Sequence, residues 1–258
     1  MFKTVTVLAV SCGALLAGCG GDPRSENEEI RSNLIEAGFR AEDIRVVGED
    51  TYVGGDAQVS LRASREMLQT GEGSAEQYRT TNLVSIPTVT KICINPSSMF
   101  NTYNRLSQGL DQAIANYNAL GLCFSMARGP TTGCSAVITA VPIPGTGASS
   151  GFPAGGRPYN QISIGYGLNT SSLDVVEHII THELGHALGL RHSDYYSHAI
   201  SCGTGGNEGT AGVGAILIPG TPATSYAGAS LMNACMLANT TGEFTSSDIT
   251  ALTWLYRC

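Results

Sequence analysis

All five histidines of the chain, at positions 178, 182, 186, 192 and 198, fall within 21 consecutive residues, and no other feature restricts the possible folds so tightly. Inside that window runs His182-Glu183-Leu184-Gly185-His186-Ala187-Leu188-Gly189-Leu190-Arg191-His192. The pattern from Leu173 onward predicts one helix, with Ser171 to Asp174 as its capping box. Helical residues four apart lie about 40° apart around the axis and about 6 Å along it, so His182 and His186 send their rings toward one point. Gly189 can take the positive φ that ends a helix and turns the chain, which lets His192 swing back toward the same point. Two rings from a helix and one from the bend after it can hold a single ion.

Three protein ligands leave one position of a tetrahedral zinc ion open, which separates a catalytic site from a closed structural one. Glu183 is turned about 100° from the first ligand, so its carboxylate can approach a water on the metal without ligating the metal. Zinc lowers the pKa of such a water toward about 7, and Glu183 can then act as general base and afterwards protonate a leaving amine. A bare H-E-x-x-H is a weak signal, but the extension G-x-x-H adds two demanding positions at fixed offsets. An ion held between His178 and His182 would leave Glu183 misplaced, so His178 reads as a partly exposed helix residue and His198 as a loop residue. Asp194 is a candidate partner for His192 or for the following loop, since ligand histidines commonly give their second ring N–H to a carboxylate or carbonyl.

With these residues in place, the chain resembles the metzincins, and from about Ile30 to Tyr256 it is similar to the bacterial protease B family of metalloproteases, known for a HEIGH motif. The likeness is carried by the HELGH stretch, His192-Ser193-Asp194, Cys93-Ile94-Asn95, Gly156-Arg157-Pro158-Tyr159-Asn160, Pro219-Gly220-Thr221-Pro222 and Ser230-Leu231-Met232-Asn233-Ala234-Cys235. It implies an α+β zincin domain, a twisted mixed sheet with long helices and one catalytic Zn2+ ion in a cleft. It also implies a zinc endopeptidase acting on a protein or peptide, with His182, His186 and His192 as ligands, Glu183 as base and Met232 in a methionine turn beneath the metal. By the same likeness, Gln161, Ile162, Ser163 and Ile164 form the edge strand that pairs with an extended substrate, and Ile216 to Pro222 wall a side-chain pocket. Ala234 stands where some metzincins carry a tyrosine, so that oxyanion donor is missing. The rival reading is a catalytically inactive surface lipoprotein that uses a zinc-stabilised fold for binding, against which Glu183 argues; an endopeptidase acting as a toxin on a host or prey protein is a third.

Residues 1–18 read as an export signal, with Lys3 at its start and an apolar Thr4–Leu16 stretch too short to span a bilayer. Leu16-Ala17-Gly18-Cys19 resembles a lipobox, which predicts a lipoprotein anchored to the membrane through Cys19. Gly20 in place of an inner-membrane retention aspartate favours the outer membrane or cell surface, with simple secretion as the alternative. A net charge of −7 and no Lys/Arg stripe exclude a nucleic-acid partner, and a monomer is expected.

Residues 22–80 hold 13 acidic and 7 basic residues, against 8 and 6 over the remaining 178. This shift predicts an amino-terminal module or prosegment over 19–80, joined through Gly71-Glu72-Gly73-Ser74 to a catalytic domain over 81–258. The module reads as a helix bearing Ile30, Leu34 and Ile35, then strands at Ile44–Val47 and Thr51–Val53. Its one cysteine is the anchor, so an acidic residue such as Asp56 is the better candidate for blocking a metal. Beyond it, strands are expected at Val89–Ile94, Leu122–Met126, Ala136–Val141 and Gln161–Tyr166. One long helix should run from a Ser97 or Ser98 cap to Leu120, and Thr245 to Asp248 should cap a last helix bearing Ile249, Leu252 and Leu255. Six remaining cysteines suggest three disulfides among fifteen connectivities. Sequence proximity favours Cys123 with Cys134 and Cys202 with Cys235, leaving Cys93 with Cys258.

Overall fold

A computed structural model describes residues 23–68, 77–209, 215–222 and 224–258. The expected export signal, Cys19 and the Gly71–Ser74 connection lie outside those residues.

Helix α1 (Pro23–Glu36) buries Ile30 and Leu34 but leaves Ile35 46% exposed, because a further 100° step past Leu34 carries the side chain off the packed face. Strands β1 (Arg45–Val47) and β2 (Asp50–Val53) form a hairpin, and β3 (Ala57–Gln58) returns beside β2. Helix α2 (Leu61–Met67), capped by the Ser60 hydroxyl, packs on α1. Ile30, Leu34, Val53, Ala63 and Met67 form a small core, completed by Phe152 from the larger part.

The larger part begins with β4 (Tyr78–Arg79) and β5 (Lys91–Pro96). Ser97 caps a short helix α3 (Ser98–Thr102), and here the single long helix of the sequence reading is interrupted. Tyr103 takes φ −91° and ψ 98°, with its ring stacked on Tyr166, and α4 (Asn104–Ala119) starts afresh. Strands β6 (Ser125–Arg128), β7 (Ala136–Ile143), β8 (Ala148–Gly151) and β9 (Gln161–Gly165) follow. Then come α5 (Leu173–Ala187), α6 (Ala199–Cys202), β10 (Ile216–Leu217) and α7 (Ser246–Tyr256). Ser172 rather than Ser171 caps α5, its hydroxyl accepting from the Val175 N–H; the Thr245–Asp248 capping box of α7 forms as expected.

The architecture is α+β. One eight-stranded mixed sheet runs β1-β2-β3-β8-β9-β7-β5-β6, while β4 and β10 form a separate antiparallel pair. Strands β9, β7, β5 and β6 are parallel, β8 is antiparallel to β9, and β3 joins β8 in parallel. Ile92, Ile94, Ile138, Ile162 and Ile164 of the sheet meet Leu106, Leu110, Val176, Ile180 and Leu184 of α4 and α5 in the main core, each contributing about 1.5–3 kcal/mol by its burial. Gly109 sets how closely the two helices approach: a Cβ there would lie 2.7 Å from Val176 Cγ1.

Two expectations are corrected. Gln161 to Ile164 do not form an edge strand, because β9 is paired with β7 on one side and with β8 on the other. The small residues of β8, Ala-Ser-Ser-Gly, give little strand signal in the sequence. The disulfides are Cys93–Cys134, Cys123–Cys258 and Cys202–Cys235; only the last was the favoured pair. Parallel pairing of β5 with β7 brings Cys93 opposite Val137, beside the loop carrying Cys134. The Cys123 N–H donates to the Tyr256 carbonyl at 2.7 Å, which sets Cys123 at the end of α7. The first pairing follows strand register and the second the docking of α7, neither of which nearness along the chain reports.

Candidate metal centre

Helix α5 buries His182, Glu183 and His186 together, and Leu188 ends it. Gly189 then takes φ 106° and the chain bends. The segment at β4 holds that bend: the Thr80 N–H donates to the Gly189 carbonyl at 3.0 Å, and the Arg191 N–H to the Tyr78 carbonyl at 2.8 Å. His192 is thereby returned to the first two rings. His182 Nε2 lies 3.0 Å from His186 Nε2 and 3.2 Å from His192 Nε2.

The opposite nitrogen of each ring decides what those contacts are. His182 Nδ1 meets the Leu231 carbonyl at 2.7 Å, His186 Nδ1 the Leu190 carbonyl at 2.8 Å, and His192 Nδ1 the Glu208 carboxylate at 2.6 Å. These oxygens only accept, so each Nδ1 carries the proton and each Nε2 of a neutral ring presents a lone pair. Three lone pairs aimed at one point repel unless a cation sits among them. Zinc–nitrogen bonds of about 2.0–2.1 Å in a tetrahedron put donors about 3.3 Å apart, close to the spacing found, so the residues fit a zinc ion. The local field favours positive charge at this point, because carboxylates reach both sides of the His192 ring: Glu208 Oε1 lies 2.6 Å from Nδ1 and Asp56 Oδ2 lies 3.2 Å from Nε2.

Between the two helical histidines, Met232 packs on Gly185, where a Cβ would lie 2.5 Å from the sulfur. That contact accounts for glycine between the two helical histidines. The turn carrying Met232 is fixed from α7, whose Asp248 accepts from the Leu231 N–H at 3.0 Å and from Ser230 Oγ. One capping carboxylate thus secures the residue whose carbonyl orients His182.

Glu183 is 2% exposed, and its Oε2 has no hydrogen-bond partner among the described residues. Burial first, and then the negative charge of Asp56, push its carboxyl well above the usual range. Asp56 faces the three rings from the module. Burial would raise its pKa, but the neighbouring imidazoles of His192 and His186 overcome that and hold it well below the ordinary value.

Other sequence candidates lie elsewhere. Asp194 does not touch His192; it accepts from the Ala234 N–H at 2.9 Å and from Ser201 Oγ, steadying the loop tied by Cys202–Cys235. The partner of His192 is Glu208, which sequence reasoning missed although it is the only carboxylate between Asp194 and Glu243. It also accepts from His198 Nε2 at 3.0 Å and pairs with Arg191 at 2.7 Å. Arg191 in turn lies over the rings of Phe39 and Tyr195, so the module touches this network too. His178 is buried rather than partly exposed, with Nδ1 2.7 Å from Thr240 Oγ1. The hollow beside it is walled by Leu231, Leu237, Thr240 and Glu243, not by Ile216–Pro222, since Ile216 and Leu217 pair with β4 and Ile218 enters the main core.

A set of imidazoles with an enclosed carboxylate beside them, mounted on a mixed sheet, is the equipment of a metal-dependent peptide hydrolase. The chain belongs to the dual-action HEIGH metallo-peptidase family, which it matches over residues 51–256, a span that includes Asp56. It is therefore a metallopeptidase, with a peptide as substrate and a catalytic metal in use. Among solved structures it is similar to two of myroilysin, each 13% identical. One has a TM-score of 0.39 over 65% of this chain and 92% of that one, the other 0.40 over 85% and 99%. No curated protein matches the chain.

Proposed function

We propose that the protein is a zinc-dependent endopeptidase, with His182, His186 and His192 as metal ligands and Glu183 as general base. The observation that carries this reading is the convergence of three Nε2 atoms whose Nδ1 protons are already given to Leu231, Leu190 and Glu208. Three neutral imidazoles suit zinc better than magnesium or calcium, which favour carboxylate and carbonyl oxygens. Bound there, the ion supplies Lewis acidity, polarising a peptide carbonyl and making water a stronger acid. Glu183 takes the proton of the attacking water and returns it to the leaving amine. Met232 is the floor of the centre. Strand β8 borders the cleft, where Ala148 lies with His182 and Glu183, and its main chain is the natural seat for an extended substrate cut at an internal bond.

The reading extends to location and organisation. Lys3, the apolar stretch after it and the Leu16–Cys19 signature support an exported lipoprotein, held by Cys19 at the outer membrane or cell surface. Three disulfides fit an oxidising compartment. No helix among the described residues is long and apolar enough to cross a membrane. Residues 19–80 act as a module or prosegment ahead of a catalytic domain over 81–258, and the small core built mostly from their own side chains supports that division. The protein works as a monomer without nucleic acid.

The test is cleavage profiling of a peptide library by the wild type and Glu183→Ala, with a chelator control. Internal cuts made by the wild type and lost in the variant, while zinc stays bound, are expected. An uncut library with zinc bound, from the wild type and Asp56→Ala alike, would favour the non-catalytic binding protein.

A further inference from the structure

We propose that Asp56 is a fourth ligand of the metal in the intact chain, so that the amino-terminal module closes by coordination the position a substrate carbonyl needs. This rests on the three-histidine centre described above and adds its regulation. Asp56 Oδ2 lies 3.2 Å from His192 Nε2 and 3.6 Å from His182 Nε2, and Oδ1 lies 3.5 Å from His186 Nε2. Donors about 2.0–2.2 Å from one ion in a tetrahedron stand roughly 3.3–3.6 Å apart, so the carboxylate sits where a fourth donor belongs. Its Oδ1 is shut off from solvent and has no hydrogen-bond partner among the described residues, an arrangement that costs free energy unless a cation meets it.

The route by which Asp56 arrives is equally specific. Gly54 and Gly55, at φ 67° and 96°, form the tip between β2 and β3, and the Gly54 N–H is held by Asp43 at 2.9 Å. A Cβ at Gly54 would lie 3.1 Å from His192 Nδ1 and from Glu208 Oε1, so the tip rests on the third histidine and its partner. Immediately afterwards the chain adds to β8: the Ser150 N–H donates to the Asp56 carbonyl at 3.1 Å and the Phe152 N–H to the Gln58 carbonyl at 3.2 Å. Gly151 permits this approach, since a Cβ there would come within 2.6 Å of Gln58 O. A substrate needs both a free metal position and the free edge of β8. Residues 56–58 take both at once, so the full chain is a latent form, and these residues must leave the cleft before a substrate can enter.

The full-length wild type, Asp56→Asn and Asp56→Ala are loaded with Zn2+ or Co2+, with His186→Ala as the control for the histidine site. Removal of even an outer partner of a ligand costs about tenfold or more in metal affinity, so zinc should pass to dipicolinate at least that much more readily from both variants than from the wild type. The visible absorption of the Co2+ form should change between wild type and Asp56→Asn, a nearly isosteric substitution that keeps the fold. Cleavage of a quenched peptide should rise about tenfold or more in Asp56→Ala, as the competent fraction of molecules grows. Zinc release and Co2+ absorption unaltered in both Asp56 variants, with the metal lost only in His186→Ala, would overturn the ligand while leaving the histidine centre standing. Cleavage abolished in Asp56→Ala with zinc retained would also overturn it, by making Asp56 part of the catalytic machinery. A wild type that takes up no metal would sink both readings.

Discussion

The two walls of the metal site are built on opposite plans. One is a single stretch of chain, α5 and its bend, in which helical pitch alone aligns His182 with His186 and Gly189 sends His192 back. Met232 packs against its Gly185, and Leu184 and Ala187 join it to the main core. The other wall is Asp56, brought from more than a hundred residues away on a hairpin tip and held by a short seam of hydrogen bonds to β8 over its own small core. A helix cannot be undone without unfolding the enzyme, whereas a two-residue strand can be peeled away. On the proposed reading, the contrast teaches that this fold keeps its chemistry in the part that is hard to move and its restraint in the part that is easy to move.

The strongest way to sharpen that contrast is Glu183→Gln, which should lower peptide cleavage by roughly a hundred- to ten-thousand-fold with zinc content unchanged by metal analysis. An undiminished rate would remove the carboxylate from the chemistry. On the restraining side, Leu34→Ala leaves a cavity in the small core and should cost it about 2–5 kcal/mol. Calorimetry should then show an earlier transition, together with faster cleavage; one unsplit transition with an unaltered rate would mean that the two walls stand or fall as a unit. Glu208→Gln keeps the shape of the partner of His192 but removes its charge, and should weaken zinc binding about 10- to 100-fold in a chelator competition. Unchanged affinity would reduce Glu208 to a partner of Arg191. The smallest effect expected is from Thr245→Ala, which removes the cap of α7 and should cost about 1 kcal/mol, read as a drop of a few degrees in Tm. Zinc affinity should hold, since Asp248 still accepts from Leu231.

How much of this was legible in the sequence follows the same division. The histidine-bearing helix, the Gly189 bend and the Thr245 capping box could be read directly because each is fixed by residues within about four positions of one another. Glu208 could not, since a loop sixteen residues beyond His192 brings it there and nothing local marks it. Cys93–Cys134 depends on which strands lie side by side and Cys123–Cys258 on where α7 docks, so pairing by nearness along the chain does not find them. Strand β8 escaped notice because small residues carry no alternating pattern, and its absence made β9 look like an edge. Tyr103 broke an otherwise continuous helical periodicity through a ring contact with Tyr166, a tertiary effect that the pattern alone does not contain. Asp56 could be named from the sequence as an acidic residue able to block a metal, but only the hairpin places it against the rings.

The sulfur of Met232 rests in a slot with no room for one more carbon at Gly185. Oxygen added to that thioether would meet the same backbone, and it would turn an apolar floor into a polar, chiral one. Peroxide should therefore inactivate the protein in step with the rare openings that let it reach a side chain only 2% exposed. The rate of bleaching, followed by mass spectrometry of that one residue, becomes a clock for breathing motions under the histidines.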